Sequence, residues 1–144
     1  TQVIEQAVHW VTKAAADKLK VVTDLPEGIN VLGSAGQMQQ VMMNLVQNAA
    51  DATADQPQPR LEIRAEREGE NVVVRFRDNG PGIPEDNLPH LFEPFFTTKP
   101  VGKGTGLGLA ITYGIVERHG GSLSAGNAPE GGALFTLRLP LARH

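Results

Sequence analysis

Two neighbouring runs limit the folds open to this chain more than any other feature. Leu61, Ile63 and Ala65 alternate with charged residues, Glu68-Gly69-Glu70 turns the chain, and Val72, Val74 and Phe76 alternate in their turn. Successive side chains of a strand point to opposite faces, so each run has one face to bury. Arg75 and Arg77 then face the other way. The pattern predicts an antiparallel hairpin with one apolar face, and that face needs a cover. Asp78 continues the parity of Val72. If the strand persists that far, a carboxylate enters the apolar layer, where it needs a donor partner. Two readings stay open for Asp78: a turn aspartate capping the Asn79-Gly80 bend, or a group that receives a ligand.

Helical patterns supply the cover. Val3, Ile4, Ala7, Val8, Val11, Ala14, Ala15 and Leu19 fall at helical spacing and predict a helix over residues 2–19. Short strands are expected at Lys20 to Thr23 and Ile29 to Leu32, on either side of the turn Leu25-Pro26-Glu27-Gly28. Ser34 followed by Gln37 forms a capping-box pattern that opens a helix running to about Ala54. Its apolar stripe is Met38, Val41, Met42, Leu45, Ala49 and Ala52. At about 100° per residue, Asn44, Asn48 and Asp51 lie roughly 60–120° to one side of that stripe. Asparagine is a poor interior helix former, so a pair at i and i+4 has a small local cost. The pair is either a solvated flank or one edge of a binding site.

A third helix is expected from about Gly106 to His119, stopped by Gly120-Gly121. Leu123 to Ala125 and Ala133 to Leu139 then form a last hairpin, with Phe135, Leu137 and Leu139 on one face. Hairpins covered by helices on one side make an α+β fold, a two-layer sandwich with a mixed, mostly antiparallel sheet under three helices.

Between the hairpin and the third helix the chain loses its regular period. Asp78-Asn79-Gly80-Pro81-Gly82-Ile83-Pro84 is a tight glycine–proline segment, and residues 85–103 carry Phe92, Phe95 and Phe96, which could pin this stretch to the body. So long an irregular stretch in a small domain is usually functional or mobile. It ends in Val101 to Ala110, where glycines alternate at 104, 106 and 108. A helix opening after such a loop offers unpaired N–H groups and a positive dipole end to a phosphate. A plain flexible turn before a helix has the same spelling. Thr97, Thr98, Lys99 and Lys103 add hydroxyls and positive charge beside it.

Composition removes several classes. With 144 residues, 40% of them apolar, the chain suits a single domain over residues 1–144 with a real core. A net charge of −3 disfavours a nucleic-acid binder held by a broad basic surface. The chain has no cysteine, which excludes disulfides and thiolate metal sites. No apolar run reaches the ~18 residues that span a bilayer, and no signal peptide is evident. The first residues read straight into a helix, as expected of a fragment of a longer chain.

From about residue 34 onward the chain resembles the catalytic ATP-binding domain of sensor histidine kinases, part of the ATPase group that includes DNA gyrase, Hsp90 and MutL. Asn44-Leu45-Val46-Gln47-Asn48-Ala49-Ala50-Asp51-Ala52 is similar to its asparagine box, and Asp78-Asn79-Gly80-Pro81-Gly82-Ile83 to its first glycine box. Leu91-Phe92-Glu93-Pro94-Phe95-Phe96-Thr97-Thr98-Lys99 is similar to its phenylalanine box, and Gly104-Thr105-Gly106-Leu107-Gly108-Leu109 to its second glycine box. Four boxes in one order are far more specific than any one of them. The Asn-Ala-Ala-Asp-Ala and Phe-Phe-Thr-Thr-Lys spellings lean toward the nitrogen-regulation and dicarboxylate-sensor type.

The resemblance implies a Bergerat-type fold, with a lid at about 84–104, that binds ATP and Mg2+. Asp78 would accept from the adenine amine, and Gly82 would let the base approach. Asn48 would hold magnesium, and Asn44 would support its water or a phosphate. Gly104, Thr105, Gly106, Leu107 and Gly108 would surround the phosphates, with Lys99 and Lys103 neutralising them. Asp51, Gly80, Ile83, Thr98, Leu109 and Thr136 complete the expected nucleotide set, and Asn44, Asn48 and Lys99 the catalytic one.

The resemblance further implies transfer of the gamma-phosphoryl group to a histidine on the protein's own dimerisation and histidine phosphotransfer domain. From there it passes to an aspartate on a response regulator receiver domain. Neither nucleic acid nor direct membrane contact is expected of this fragment, which would lie in the cytoplasm, as part of a soluble or membrane-anchored sensor. His9, His90, His119 and His144 lack the context of a phosphoacceptor and read as structural or surface residues.

Two departures matter. Hydrolytic relatives carry a glutamate base one turn before the magnesium asparagine; here Asn44 stands there and cannot take a proton near neutral pH. Some kinases carry a basic residue three after that asparagine; here it is Asp51. The first departure disfavours the alternative function, an autonomous ATPase switch of the gyrase or Hsp90 type.

Overall fold

The structure is a computed structural model that describes residues 2–3, 8–9, 12–13, 19–25, 30–31, 35–93 and 108–141. In chain order its elements are β1 (Gln2–Val3), β2 (Lys20–Asp24), β3 (Asn30–Val31), α1 (Ala35–Ala52), β4 (Arg60–Glu68) and β5 (Asn71–Asp78). A 3-10 turn at Glu85–His90, α2 (Gly108–Arg118), β6 (Ser122–Asn127) and β7 (Ala133–Pro140) follow.

The hairpin expected from the alternating runs is the middle of the sheet. β4 and β5 pair antiparallel, with Leu61 opposite Asp78 and Ile63 opposite Phe76. The sheet order is β2-β4-β5-β7-β6. β2 runs parallel to β4 and the other neighbours are antiparallel, so the sheet is mixed. The fold is α+β, with helices packed on a five-stranded sheet.

Parity decides which face is covered. Leu61, Ile63, Val72, Val74, Phe76, Leu123, Phe135, Leu137 and Leu139 are buried in one cluster with Met38, Val41, Met42, Leu45, Val46 and Ala49 of α1 and Ile115 and Val116 of α2. Burying side chains of this size contributes about 1.5–3 kcal/mol each. The stripe on α1 differs from expectation at two positions: Ala52 is exposed and Val46 is buried. Val46 follows Met42 by four residues and so stays on the same face. The helix also stops at Ala52 rather than Ala54: beyond it the Ala54 N–H bonds the Asp51 carbonyl at 3.4 Å and the Gln56 N–H the Thr53 carbonyl at 2.9 Å, so the chain leaves the helical i→i−4 pattern for turns.

The opposite face carries charge. Arg75 pairs with Glu66, Arg77 with Glu62 and Glu130, and Arg138 with Glu68. These pairs are solvent-facing and each contributes little to stability.

The expected helix over residues 2–19 needs correcting at its start. Gln2–Val3 is a strand that pairs antiparallel with Asn30–Val31. That pairing gives partners to backbone groups that a helix N-terminus would leave open. Residues 8–9 and 12–13 are helical as expected, with Val8 fully buried. The rest of the leading segment, and so the third covering helix as a whole, lies outside the described residues.

Candidate functional site

The candidate site begins where β5 ends. Asp78 is only 4% exposed, and its Oδ1 accepts from the Gly80 N–H at 2.9 Å and the Ala133 N–H at 3.1 Å. The first sequence reading therefore holds: the carboxylate caps the Asn79-Gly80 bend, and it does so from the buried face of the sheet. Its Oδ2 makes no hydrogen bond among the described residues. Every fully buried side-chain N or O atom among them has a partner, so Oδ2 is not wholly shut off from solvent. An oriented carboxylate oxygen with such access is an acceptor for a ligand N–H.

The bend beyond Asp78 is held from three sides. Asn79 points back, accepting from the Arg60 N–H at 2.9 Å and donating to the Gln58 carbonyl at 2.8 Å. It therefore anchors the start of β4. Gly80 lies against the last residue of α1, where a Cβ would come 2.7 Å from the Ala52 carbonyl oxygen. Gly82 has φ +87, a region that side chains disfavour, and a Cβ there would meet Asn127 Oδ1 at 2.7 Å. Asn127, at the end of β6, accepts from the Ile83 N–H at 2.7 Å and donates to the Ile83 carbonyl at 2.8 Å.

The asparagines of α1 face the start of α2. Asn44 Nδ2 donates to Thr112 Oγ1 at 2.9 Å and to the Gly108 carbonyl at 3.4 Å. The buried Thr112 hydroxyl itself donates to the Gly108 carbonyl at 2.8 Å. Gly108 is the first residue of α2, so the N–H groups of its first turn lie beside the Asn44 edge. With its nitrogen spent on α2, Asn44 keeps its oxygen for another partner. One turn on, Asn48 is half-buried and its amide makes no hydrogen bond among the described residues. A half-buried amide with no protein partner fits a ligand or ion as its partner. Asp51 is exposed and accepts from Gln47 Nε2 at 3.0 Å.

Phe92 stacks on Tyr113 of α2, with ring centroids 5.1 Å apart and planes at 24°. This pins the segment after the 3-10 turn, as expected of Phe92. The Glu117 carboxylate, one turn beyond Tyr113, favours the protonated phenol and raises its pKa above the ordinary value of 10.0.

The structure thus forms two sets of contacts: Asp78, Gly80, Gly82 and Ile83 at the bend, against Ala52 at the end of α1, and Asn44 with Thr112 and Gly108 at the start of α2; Ile83 and Leu109 are half-buried against the core. It does not bring Thr136 to them. Along β7 the buried residues are Phe135, Leu137 and Leu139, so Thr136 alternates to the opposite face, in register with Arg75 and Ser124. Asp78 shares the buried face, and the sheet lies between the two. Thr98, Lys99, Lys103, Gly104, Thr105, Gly106, Leu107, Phe95 and Phe96 lie outside the described residues.

Three residues escaped the sequence reading: Thr112, Asn127 and Gly132. Each acts across a large sequence separation, and only Thr112, four after Gly108, carried a local helical cue. His90 bonds Glu93 at 2.8 Å and His119 Nδ1 the Ile115 carbonyl at 2.7 Å. Among the described residues no three His, Cys, Asp or Glu side chains are grouped to hold a metal ion. A cation here would rest on asparagine oxygen and on the ligand's own oxygens. No described helix is long and apolar enough to cross a membrane.

The family described as histidine kinase-, DNA gyrase B-, and HSP90-like ATPase matches residues 33–143. The two-component sensor PprA of Pseudomonas aeruginosa is 50% identical over 117 residues, 78% of this chain and 13% of that protein. The C4-dicarboxylate transport sensor protein DctB of the same organism is 41% identical over 139 residues, 94% of this chain and 23% of that protein. The chain therefore spans under a quarter of either relative. Among solved structures, the nucleotide-free catalytic domain of histidine kinase ThkA superposes with a TM-score of 0.84 at 30% identity, covering 97% of this chain and 96% of that one. ThkA in complex with the response regulator protein TrrA gives 0.80 at 30% identity, over 96% of this chain and 40% of that one.

Proposed function

The chain belongs to the histidine kinase-, DNA gyrase B- and HSP90-like ATPase family as a sensor histidine kinase catalytic domain, and from that premise we propose how its residues bind Mg-ATP and present the gamma-phosphoryl group. The observation that carries the proposal is Asp78: buried, fixed through Oδ1 by two backbone N–H groups, with Oδ2 not wholly shut off from solvent. Adenine has an exocyclic amine to donate to that oxygen. Gly80, Gly82 and Ile83 form the backbone against which the base lies.

The phosphates extend toward α1 and the start of α2. The first N–H groups of α2, preceded by residues 104–107, take the negative charge. Asn48 offers its amide oxygen to magnesium, a hard ligand for a hard ion, and Asn44 orients a water or phosphate oxygen while Thr112 holds its nitrogen. Bound magnesium supplies charge neutralisation on the phosphates, with Lys99 and Lys103 assisting from the segment 84–104, which we propose as the lid. Asp51 stands at the rim of the nucleotide site. The two-layer Bergerat arrangement with three covering helices belongs to the same proposal.

Asn44 has no basic atom with which to activate water, so the domain holds ATP without rapid hydrolysis. The acceptor is a histidine on the protein's own dimerisation domain, and a response regulator receiver domain takes the group onward, as the complex of ThkA with TrrA supports. Positioning and electrostatics carry such a transfer. The fragment works in the cytoplasm.

Calorimetry with purine nucleotides tests the base assignment. ATP is expected to bind in a magnesium-dependent way, and Asn48→Ala to remove most of that dependence. GTP, with a carbonyl where adenine has its amine, is expected to bind at least about 100-fold more weakly, since two acceptors would face each other. Equal affinity for ATP and GTP would remove Asp78 from the base site.

A further inference from the structure

The side chain of Asn127 satisfies both backbone groups of one residue 44 positions earlier, donating to the Ile83 carbonyl at 2.8 Å and accepting from the Ile83 N–H at 2.7 Å. Such a two-bond amide clamp imitates one rung of a strand pair, but it is made by a side chain. It holds a segment with no strand or helix of its own, since residues 82–84 lie between β5 and the 3-10 turn. The neighbouring residue is built to admit it. Gly82, at φ +87, leaves the space in which a Cβ would come 2.7 Å from Asn127 Oδ1.

The β6–β7 loop supports the same place from its other end. The Ala133 N–H bonds Asp78 Oδ1, and the Gly132 carbonyl accepts from the Ala128 N–H at 2.9 Å. Asn127 and Ala133 are also partners in the β6–β7 ladder. One end of this hairpin therefore fixes both Asp78 and Ile83, the two sides of the bend on which the base is proposed to lie.

We infer that Asn127 is a positioning residue for adenine recognition, holding the Gly82–Ile83 backbone at a fixed distance from the Asp78 carboxylate without touching the nucleotide. The inference rests on the reading of Asp78 as the base acceptor. Without the clamp, Gly82 and Ile83 must be ordered by the ligand itself, and affinity falls by that cost. The cost falls on the base end, so adenosine and ATP lose affinity by the same factor.

The test compares the wild-type chain with Asn127→Ala and Asn127→Asp. The second keeps an acceptor for the Ile83 N–H but loses the donor to its carbonyl. Calorimetry is expected to give roughly tenfold weaker binding of ATP, ADP and adenosine alike for Asn127→Ala. KM for ATP rises by that factor in phosphoryl transfer, while kcat stays within about twofold, as expected when uniform binding alone is lost. Asn127→Asp is expected to weaken binding at least as much, because a carboxylate oxygen then faces the Ile83 carbonyl.

Amide exchange of the nucleotide-free chain gives a separate readout: the Ile83 N–H is protected in the wild type and exchanges freely in Asn127→Ala, with β4 and β5 amides unchanged. If the wild type binds adenosine and Asn127→Ala binds it within twofold, the inference fails and the Asp78 reading stands. If the wild type binds no adenine compound, the Asp78 reading fails and takes the inference with it. An Ile83 N–H already unprotected in the wild type overturns the clamp directly.

Discussion

Asp78→Asn is expected to weaken ATP binding by about 100-fold or more while leaving the fold intact. The variant keeps an amide oxygen where Oδ1 sits, so the Gly80 and Ala133 N–H groups retain an acceptor. The amide nitrogen then occupies the position of Oδ2. It presents a donor to the adenine amine, itself a donor. A charge-assisted bond of about 1.5–3 kcal/mol is lost and an unpaired donor costing about 1–3 kcal/mol is gained. Calorimetry reads the affinity and thermal unfolding reads the fold. An Asp78→Asn chain that binds ATP within threefold of wild type would remove the adenine assignment. Asp78→Ala is expected to behave differently, losing stability as well as affinity, because two backbone N–H groups then lose their acceptor.

Gly132→Ala is expected to be the most destabilising small change in the described chain. A Cβ at this position would sit 1.8 Å from the Asp78 carbonyl oxygen, at φ +84. The obstacle is backbone and cannot rotate away. The left-handed conformation costs about 1–2 kcal/mol for an L side chain, and overpacking adds about 1–3 kcal/mol. A total of about 3 kcal/mol or more should lower Tm by roughly 10 °C in a domain of this size. The β6–β7 loop would have to move off Asp78, so ATP affinity should fall along with Tm. Gly126→Ala is the control, since nothing lies within 4 Å of a Cβ there and its φ is not positive. Denaturant unfolding of the two variants should separate them by several kcal/mol. If Gly132→Ala unfolds within about 0.5 kcal/mol of Gly126→Ala, the close approach is not a constraint on the fold.

These two expectations mark what the sequence makes readable. Alternation places Asp78 on the buried face, because parity is local and strict. Helical spacing places Asn44 and Asn48 on one edge of α1 for the same reason. Parity also puts Thr136 on the opposite face, but that position was drawn from the family resemblance and not from the alternation of Phe135, Leu137 and Leu139. What spacing could not supply is closure. Asn127 finds Ile83, Thr112 finds Asn44, and Gly132 packs on Asp78 only after the sheet order β2-β4-β5-β7-β6 is set. The strand at Gln2–Val3 was hidden likewise, since its partner Asn30–Val31 lies beyond a helical pattern that included Val3. Val46 joins the buried stripe because it follows Met42 by four residues, while Ala52, the last residue of the helix, is exposed.

The arrangement separates binding from turnover. In the proposed site Asp78 and the bend hold the base, and the Asn44–Asn48 edge with the start of α2 faces the phosphates. Asn44, which the family resemblance sets where hydrolytic relatives have a glutamate, has its nitrogen committed to Thr112 and Gly108. On the proposed reading such a domain holds ATP until an acceptor arrives.

The most direct measurement adds ATP labelled at the gamma position, with magnesium, to this chain and to a separately purified dimerisation domain carrying the acceptor histidine. Acid-labile label is expected on that domain only when the chain is present, with little free phosphate from the chain alone and loss of transfer in Asn48→Ala. Steady release of phosphate by the chain alone, with no label on the histidine domain, would contradict it.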